Sequence, residues 1–311
     1  MAVVIPTYNQ RPFLLQAIES AWNQTLPPDE VIVVDNASAD GTEELCRSLG
    51  DRIRYIRLPE NRGAAAARNA GTAATDCPIV VYLDGDDVMR EDCLEARIPL
   101  IADDPDAGLV LGTMLIVSEE LTPIAEEPQS YKKLRRITFD AAVREPNCPT
   151  GGLVVRKSVL DGIGGWDETL WNAQDCDLLI RMAAASTCIV DPEPRALYRQ
   201  IAGSLSKNGK RVLMHFRNML EKNRALAKDP GRYDRLARLA YRDKAAHYVF
   251  GPIWNDPQPR KLARMLAEIR ADRELAMPFL IWVGAAVRGK VRRLAGRIWA
   301  ERARSGGSNR R

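Results

Sequence analysis

Histidine is nearly missing from this chain, with two in 311 residues. The six cysteines, at 46, 77, 93, 148, 176 and 188, form no C-x-x-C pair. These scarcities argue against a zinc site and leave reduced thiols in a cytosolic compartment as the expectation. Two phosphate signatures are wanting as well. Neither G-x-G-x-x-G nor G-x-x-x-x-G-K-[ST] occurs, which disfavours a dinucleotide dehydrogenase and a P-loop kinase. No run of eighteen apolar residues offers a bilayer-spanning helix. The chain enters Ala2-Val3-Val4-Ile5 at once, so no signal peptide is expected.

What is present is ordinary in bulk and unusual in arrangement. Hydrophobic residues make up 46% and charged residues 28%, as in globular proteins, and the length suits one large domain plus an appendage. The net charge of +4 is unevenly spread. From Arg288 to Arg311 nine Lys or Arg face Glu301 alone, leaving −4 for the remainder. A mildly acidic body with a basic tail speaks of a partner for the tail.

Pro78-Ile79-Val80-Val81-Tyr82-Leu83 is a continuous apolar run that goes straight into Asp84-Gly85-Asp86-Asp87. Such a run reads as a strand buried on both faces, with its carboxylates at the carboxyl end, where open α/β sheets bind ligands. Crowded carboxylates need a compensating cation, and hard oxygen ligands suit Mg²⁺ or Mn²⁺. The bland alternative is a solvated acidic turn.

The rest of the first hundred residues repeats that pattern. Val3-Val4-Ile5 and Val31-Ile32-Val33-Val34 read as strands, each followed by a polar loop and helical spacing, from Phe13 to Trp22 and from Thr42 through Leu49. Ile53 to Leu58 alternates like an edge strand, and Ala64 to Ala74 reads as an alanine-rich helix. This is an α/β chain with a mostly parallel sheet and helices on both faces. The loops at Pro6 to Asn9, Asp35 to Asp40 and Asp84 to Asp87 should meet in one crevice. Further strands are expected at 108–117 and 152–155, a tight turn at Gly164-Gly165-Trp166-Asp167, and a helix from Asp175. Residues 119–150 read as an excursion over the site. After Asn208 two amphipathic helices are expected, one on Val212, Leu213, Phe216, Met219 and Leu220, the other on Leu236, Leu239, Ala240, Val249 and Phe250. The expected division is 1–208 and 209–311.

Taken in order, Val3-Val4-Ile5-Pro6-Thr7-Tyr8-Asn9, Val33-Val34-Asp35-Asn36-Ala37-Ser38-Ala39-Asp40-Gly41-Thr42, Asn61-Arg62-Gly63 with Ala67-Arg68-Asn69, and Leu83-Asp84-Gly85-Asp86-Asp87 resemble family 2 glycosyltransferases of the GT-A (Rossmann-like) fold. Gly164-Gly165-Trp166-Asp167-Glu168, Gln174-Asp175-Cys176-Asp177-Leu178 and Tyr198-Arg199 with Gly203-Ser204 extend the likeness over about residues 2–207. The resemblance implies a metal-dependent, inverting transfer of one sugar from a nucleotide diphosphate sugar, a UDP-sugar first, to a glycan or lipid-linked hydroxyl in cell-surface polysaccharide synthesis. It implies that Pro6 and Tyr8 line the base pocket, that Asp35 accepts from the base and that Arg68 faces the nucleotide. Asp84 would hold the ribose or a metal-bound water, Asp86 the Mg²⁺ or Mn²⁺ bridging the diphosphate, and Asp175 would be the catalytic base.

Two departures stand out. Gln174 occupies a position where the family usually has Glu, and Ile201 one where many relatives carry His. They support the rival reading, a degenerate sugar-nucleotide-binding scaffold of a glycan assembly complex; intact Asp84, Asp86 and Asp175 oppose it. No Q-x-x-R-W motif occurs, which points to single addition rather than polymerisation. Nucleic acid is not an expected partner. Leu275 to Val287 is uncharged, and Arg288, Lys290, Arg292, Arg293 and Arg297 follow it among Leu294, Ile298 and Trp299. That pattern suits a helix lying in an anionic interface, so peripheral attachment to the inner face of the plasma membrane through 276–304 is the expectation.

Overall fold

The computed structural model describes residues 1–126, 136–201 and 209–245. Two compact units divide the chain, Met1–Ala237 and Arg238–Arg311. Of the second, only the end of one helix is described.

In the first unit, four parallel strands form one half of a mixed sheet: β1 (Ala2–Thr7), β2 (Glu30–Asp35), β3 (Arg54–Arg57) and β4 (Ile79–Tyr82). They pair in the order β3-β2-β1-β4, with Pro6 opposite Val34 and Thr7 opposite Asp35. Polar residues from different loops are thereby brought to the same end. Burial explains the continuous apolar runs. Val3 and Ile5 belong to a cluster with Leu14, Ala17 and Ile18 of α1 (Arg11–Trp22), whereas Val4 and Val34 lie against Gly71 of α3 (Ala64–Ala73). Both faces are therefore covered, as a parallel sheet requires. Among the described residues β3 pairs with β2 alone, as an edge strand; Arg54 and Arg57 are exposed at its two ends, an end effect and not a strict alternation.

Beyond β4 the sheet changes direction. β9 (Leu153–Arg156) runs antiparallel between β4 and β6 (Ala107–Val117), and β10 (Thr187–Arg199) runs parallel to β6. The short β5 (Val88–Met89) closes the edge against β10. Off this path, β7 (Pro123–Glu126) pairs with β6 and β8 (Arg136–Ile137) with β10. The excursion over 119–150 thus contains β7, β8 and α5 (Phe139–Arg144).

The helices α2 (Thr42–Ser48), α4 (Cys93–Ala102), α6 (Lys157–Gly162) and α7 (Gln174–Ala185) complete the layers. The expected helices after 208 are α8 (Gly209–Asn223) and α9 (Pro230–Ala245). Val249 and Phe250, assigned to the second of these in sequence, lie outside the described residues, as does the basic tail. α8 is fastened to α7 where Asn223 Nδ2 donates to buried Asp177 Oδ1 at 2.7 Å. The Tyr233 hydroxyl donates to the Leu220 carbonyl at 2.6 Å. Among the described residues no helix is long and apolar enough to cross a membrane.

Candidate active site

The acidic turn follows β4 directly. Leu83 N donates to the Val4 carbonyl and Gly85 N to the Pro6 carbonyl, both at 3.2 Å, so the turn continues the β1 pairing. Gly85 packs tightly: a Cβ there would lie 2.9 Å from Gln10 Oε1 and 3.1 Å from Thr7 Cβ, so both neighbours would have to shift. Glycine suits this close approach of the turn to β1.

Asp84 is gripped at both oxygens. Arg68 Nη2 donates to Oδ1 at 2.6 Å and the Thr150 hydroxyl to Oδ2 at 2.7 Å. Arg68 is buried, with its guanidinium 4.5 Å from the Trp166 ring centroid. Its Nε and Nη1 are buried too and make no hydrogen bond to any described residue. Asp86 is half-buried, and burial and the Asp84 charge push its carboxyl up to about 6, against the pull of Gln10 and Arg199. Asp87 is buried, and burial together with Asp86 and Asp84 raises it well above the usual range.

Arg199, at the end of β10, brings a second positive charge to this turn, at Asp86 and Asp87. Its backbone N–H donates to Asp87 Oδ1 at 3.0 Å, its Nε to the Asp86 carbonyl at 2.8 Å and its Nη2 to Gln16 Oε1 at 2.6 Å. Nη1 donates to the Glu119 carbonyl, and the guanidinium stands 4.7 Å from the Phe13 ring centroid. The sequence offers only the Tyr198-Arg199 pair as a sign of this clamp.

Asp35 is wholly buried at the end of β2 and already has three donors. Ser38 N reaches Oδ1 at 2.8 Å, while the Tyr55 hydroxyl at 2.8 Å and Arg57 Nη1 at 2.6 Å reach Oδ2. The neighbouring loops are knitted together by Asn36, whose Nδ2 donates to Asn61 Oδ1 at 2.8 Å and whose Oδ1 accepts from Arg62 N at 3.0 Å. Pro6 is buried and Tyr8 is exposed beside it.

Asn69 joins α3 to the Gly165-Trp166 turn. Its Oδ1 accepts from Trp166 N, and its Nδ2 donates to the Trp166 carbonyl and to Glu168 Oε1, each at 2.9 Å. Trp166, buried, meets Tyr82 edge-on with ring centroids 5.1 Å apart. Asp175 stands in the first turn of α7, half-buried, after Ala173, whose φ of 61° is left-handed without being glycine. Asn9 and Ala37 share that conformation in the loops after β1 and β2. Such backbone strain gathers at functional loops. Burial raises the Cys148 thiol, on which the charges of Asp175 and Arg68 both act.

The donor set fits a divalent cation. Asp84 and Asp86 offer hard carboxylate oxygens, and burial and the neighbouring carboxylates raise Asp86 and Asp87 in spite of Arg199. Among the described residues no three His, Cys, Asp or Glu side chains form a ready-made cage. Mg²⁺ in particular is often held by one or two carboxylates with substrate phosphates completing its shell.

A sequence model described as glycosyl transferase family 2 matches residues 2–164, more than half of the chain. The chain belongs to that family. Among curated relatives, the succinoglycan biosynthesis protein ExoO of Rhizobium meliloti is 31% identical to this family 2 chain over 215 residues. The alignment covers 66% of the chain and 62% of ExoO, so the chain spans about three-fifths of that relative's length. Staphylococcus aureus TarS, solved with UDP-GlcNAc, superimposes with a TM-score of 0.67 at 17% identity, covering 86% of this chain and 78% of that one. The Pyrobaculum calidifontis mannosyltransferase PcManGT, solved with GDP-Man and Mn²⁺, gives 0.62 at 21% identity, covering 92% and 86%. At these identities the structures establish the fold, which is GT-A.

Proposed function

We propose that the chain is a metal-dependent, inverting glycosyltransferase. It moves one sugar from a nucleoside diphosphate sugar, a UDP-sugar first, onto a hydroxyl of a glycan or lipid-linked acceptor in cell-surface polysaccharide synthesis. The observation that carries this is the acidic turn at the carboxyl end of β4, where Asp84 is held by Arg68 and Thr150 and the Asp86 carboxyl stands half-buried beside it.

In this reading Pro6 and Tyr8 form the wall against which the base stacks. Asp35 belongs to the base subsite, and a base N–H reaching it must share or displace Tyr55 or Arg57. Arg68, with two buried nitrogens unpaired, faces the nucleotide and fixes Asp84, which takes the ribose or a metal-bound water. Asp86 holds Mg²⁺ or Mn²⁺. When bound, the cation stabilises the charge that develops on the leaving diphosphate. Asp175 takes the proton of the acceptor hydroxyl as its oxygen attacks the anomeric carbon from the side opposite the leaving group. One displacement inverts that carbon.

The catalytic fold is taken to end near residue 208, with 209–311 as an appendage whose first helix, α8, packs within the same compact unit, Met1–Ala237. Its tail would lie on the inner face of the plasma membrane, close to a lipid-linked acceptor. Release of UDP or GDP from a panel of nucleotide sugars, measured with Mn²⁺ and with excess EDTA, tests the reading. Turnover insensitive to EDTA would remove the metal from it, and no turnover with any donor would favour the scaffold that Gln174 suggests.

A further inference from the structure

Arg97 has no part in the chemistry above, yet it occupies the place where a charge is most expensive. It stands on α4 with no exposed surface. One carboxylate faces it, that of buried Asp191, whose Oδ2 accepts from Nε at 3.0 Å. Nη1 donates to two successive carbonyls, of Gly151 at 2.9 Å and Gly152 at 2.7 Å. The slot is cut to the guanidinium. A Cβ on Gly112 would lie 1.7 Å from Nη2, and one on Gly152 would lie 2.8 Å from Nη1. Stability alone is a poor reason for this arrangement, because apolar side chains of similar volume often serve a core as well as a buried ion pair or better.

The turn that Arg97 holds supplies another reason. Its preceding residue is Thr150, whose hydroxyl donates to Asp84 Oδ2 at 2.7 Å. Gly152 N donates to the Tyr82 carbonyl at 2.9 Å, just before the acidic turn. With Arg68 on Oδ1, Asp84 can keep a single orientation only while the 149–152 turn stays in place. We propose that Arg97 is a positioning residue that locks this turn, so that Thr150 sets the Asp84 carboxylate for the nucleoside diphosphate and its cation. The proposal rests on the nucleotide-sugar reading of the site.

Two measurements on the full chain test it. The first needs no ligand. Arg97→Lys should speed amide hydrogen exchange about tenfold or more in peptides covering 149–153 and 83–87, with 2–7 and 30–35 unchanged. Acceleration confined to 149–153 would overturn the link to Asp84. The second uses Mn²⁺ with UDP, and with GDP in parallel, by calorimetry. Thr150→Val should weaken binding about tenfold, as expected for losing a hydrogen bond to a charged group, and Thr150→Ser should restore it to within about twofold. Adding Arg97→Lys to Thr150→Val should weaken binding no further, since both act through one contact. Unchanged binding by Thr150→Val, or losses that multiply, would refute the proposal. If Arg97→Lys does not fold, Arg97→Gln with Asp191→Asn, a neutral pair of similar shape, takes its place. A wild-type chain that binds neither nucleotide with Mn²⁺ removes the nucleotide-sugar reading, while the exchange measurement still decides whether Arg97 controls the acidic turn.

Discussion

A buried carboxylate beside two others keeps its charge only if something positive stands close. At Asp86 and Asp87 the nearby positive group is Arg199, which spends its backbone N–H on one residue and its guanidinium on the carbonyl of the other. Among the described residues the Asp86 carboxyl meets no basic side chain, only Gln10, and is the group we assign to a cation. Asp86→Asn should therefore nearly abolish transfer while leaving the circular dichroism spectrum and unfolding midpoint close to wild type; full turnover by this variant would end the metal assignment. Asp175 has a different task and should fail differently. Asp175→Asn should keep nucleotide binding but slow transfer by roughly a hundredfold or more, the usual scale for a lost general base. A collapse of donor affinity with turnover retained would make it a binding residue instead.

Among the elements, α3, α7 and α8 are tied to the Gly164 to Thr169 loop by side chains rather than by a strand. Asn69 imitates a strand neighbour by exchanging two hydrogen bonds with the Trp166 backbone. Asn69→Ala leaves those groups short of partners, so a loss of about 2 kcal/mol in urea unfolding is expected. Lys222 of α8 adds an ion pair to Asp167. Burial alone would raise the Asp167 carboxyl, but Lys222 and Thr169 outweigh it and hold it below 3.8. A lowered carboxyl stabilises the fold above its unfolded value and loses that contribution as pH falls through the folded one. Lys222 is half exposed, so its contribution should be below about 1 kcal/mol. Lys222→Ala should accordingly lower the unfolding midpoint slightly at pH 7, and the difference should shrink as pH falls below the ordinary carboxylate range. The sequence made β1, β2 and β4 legible because strands covered on both faces must be apolar throughout. It left the direction of β9 hidden, since Leu153-Val154-Val155 reads alike whichever way it runs. β10 escaped notice because Pro192 and Pro194 interrupt it where its register against β6 shifts. The acidic turn was plain from its residues, whereas Thr150, its partner 66 positions away, sits in a stretch with no periodicity to announce it.

At the scale of the whole molecule, the first compact unit carries every residue of the candidate site, and the basic tail belongs to the second. If that tail is a membrane address, it should be separable. The full chain should float with vesicles rich in anionic lipid, salt should weaken the association, and a chain ending at Glu274 should stay behind. Equal flotation by the shortened chain would dismiss the tail.

The clamp of Arg199 on Asp86 spans 113 positions of sequence, and that separation matters during synthesis. Emerging from the ribosome, the chain presents its parallel strands and acidic turn first, while the arginine that steadies the turn has yet to be translated. Pairing of such remote segments is slow, and a nascent chain folds from its N-terminus onward. Ribosome-held intermediates should therefore show a protected β1–β2–β4 region long before they bind Mn²⁺ and nucleotide, and acquire that binding only once β10 has cleared the exit tunnel. The site would be silent until everything through β10 had been made and released from the tunnel.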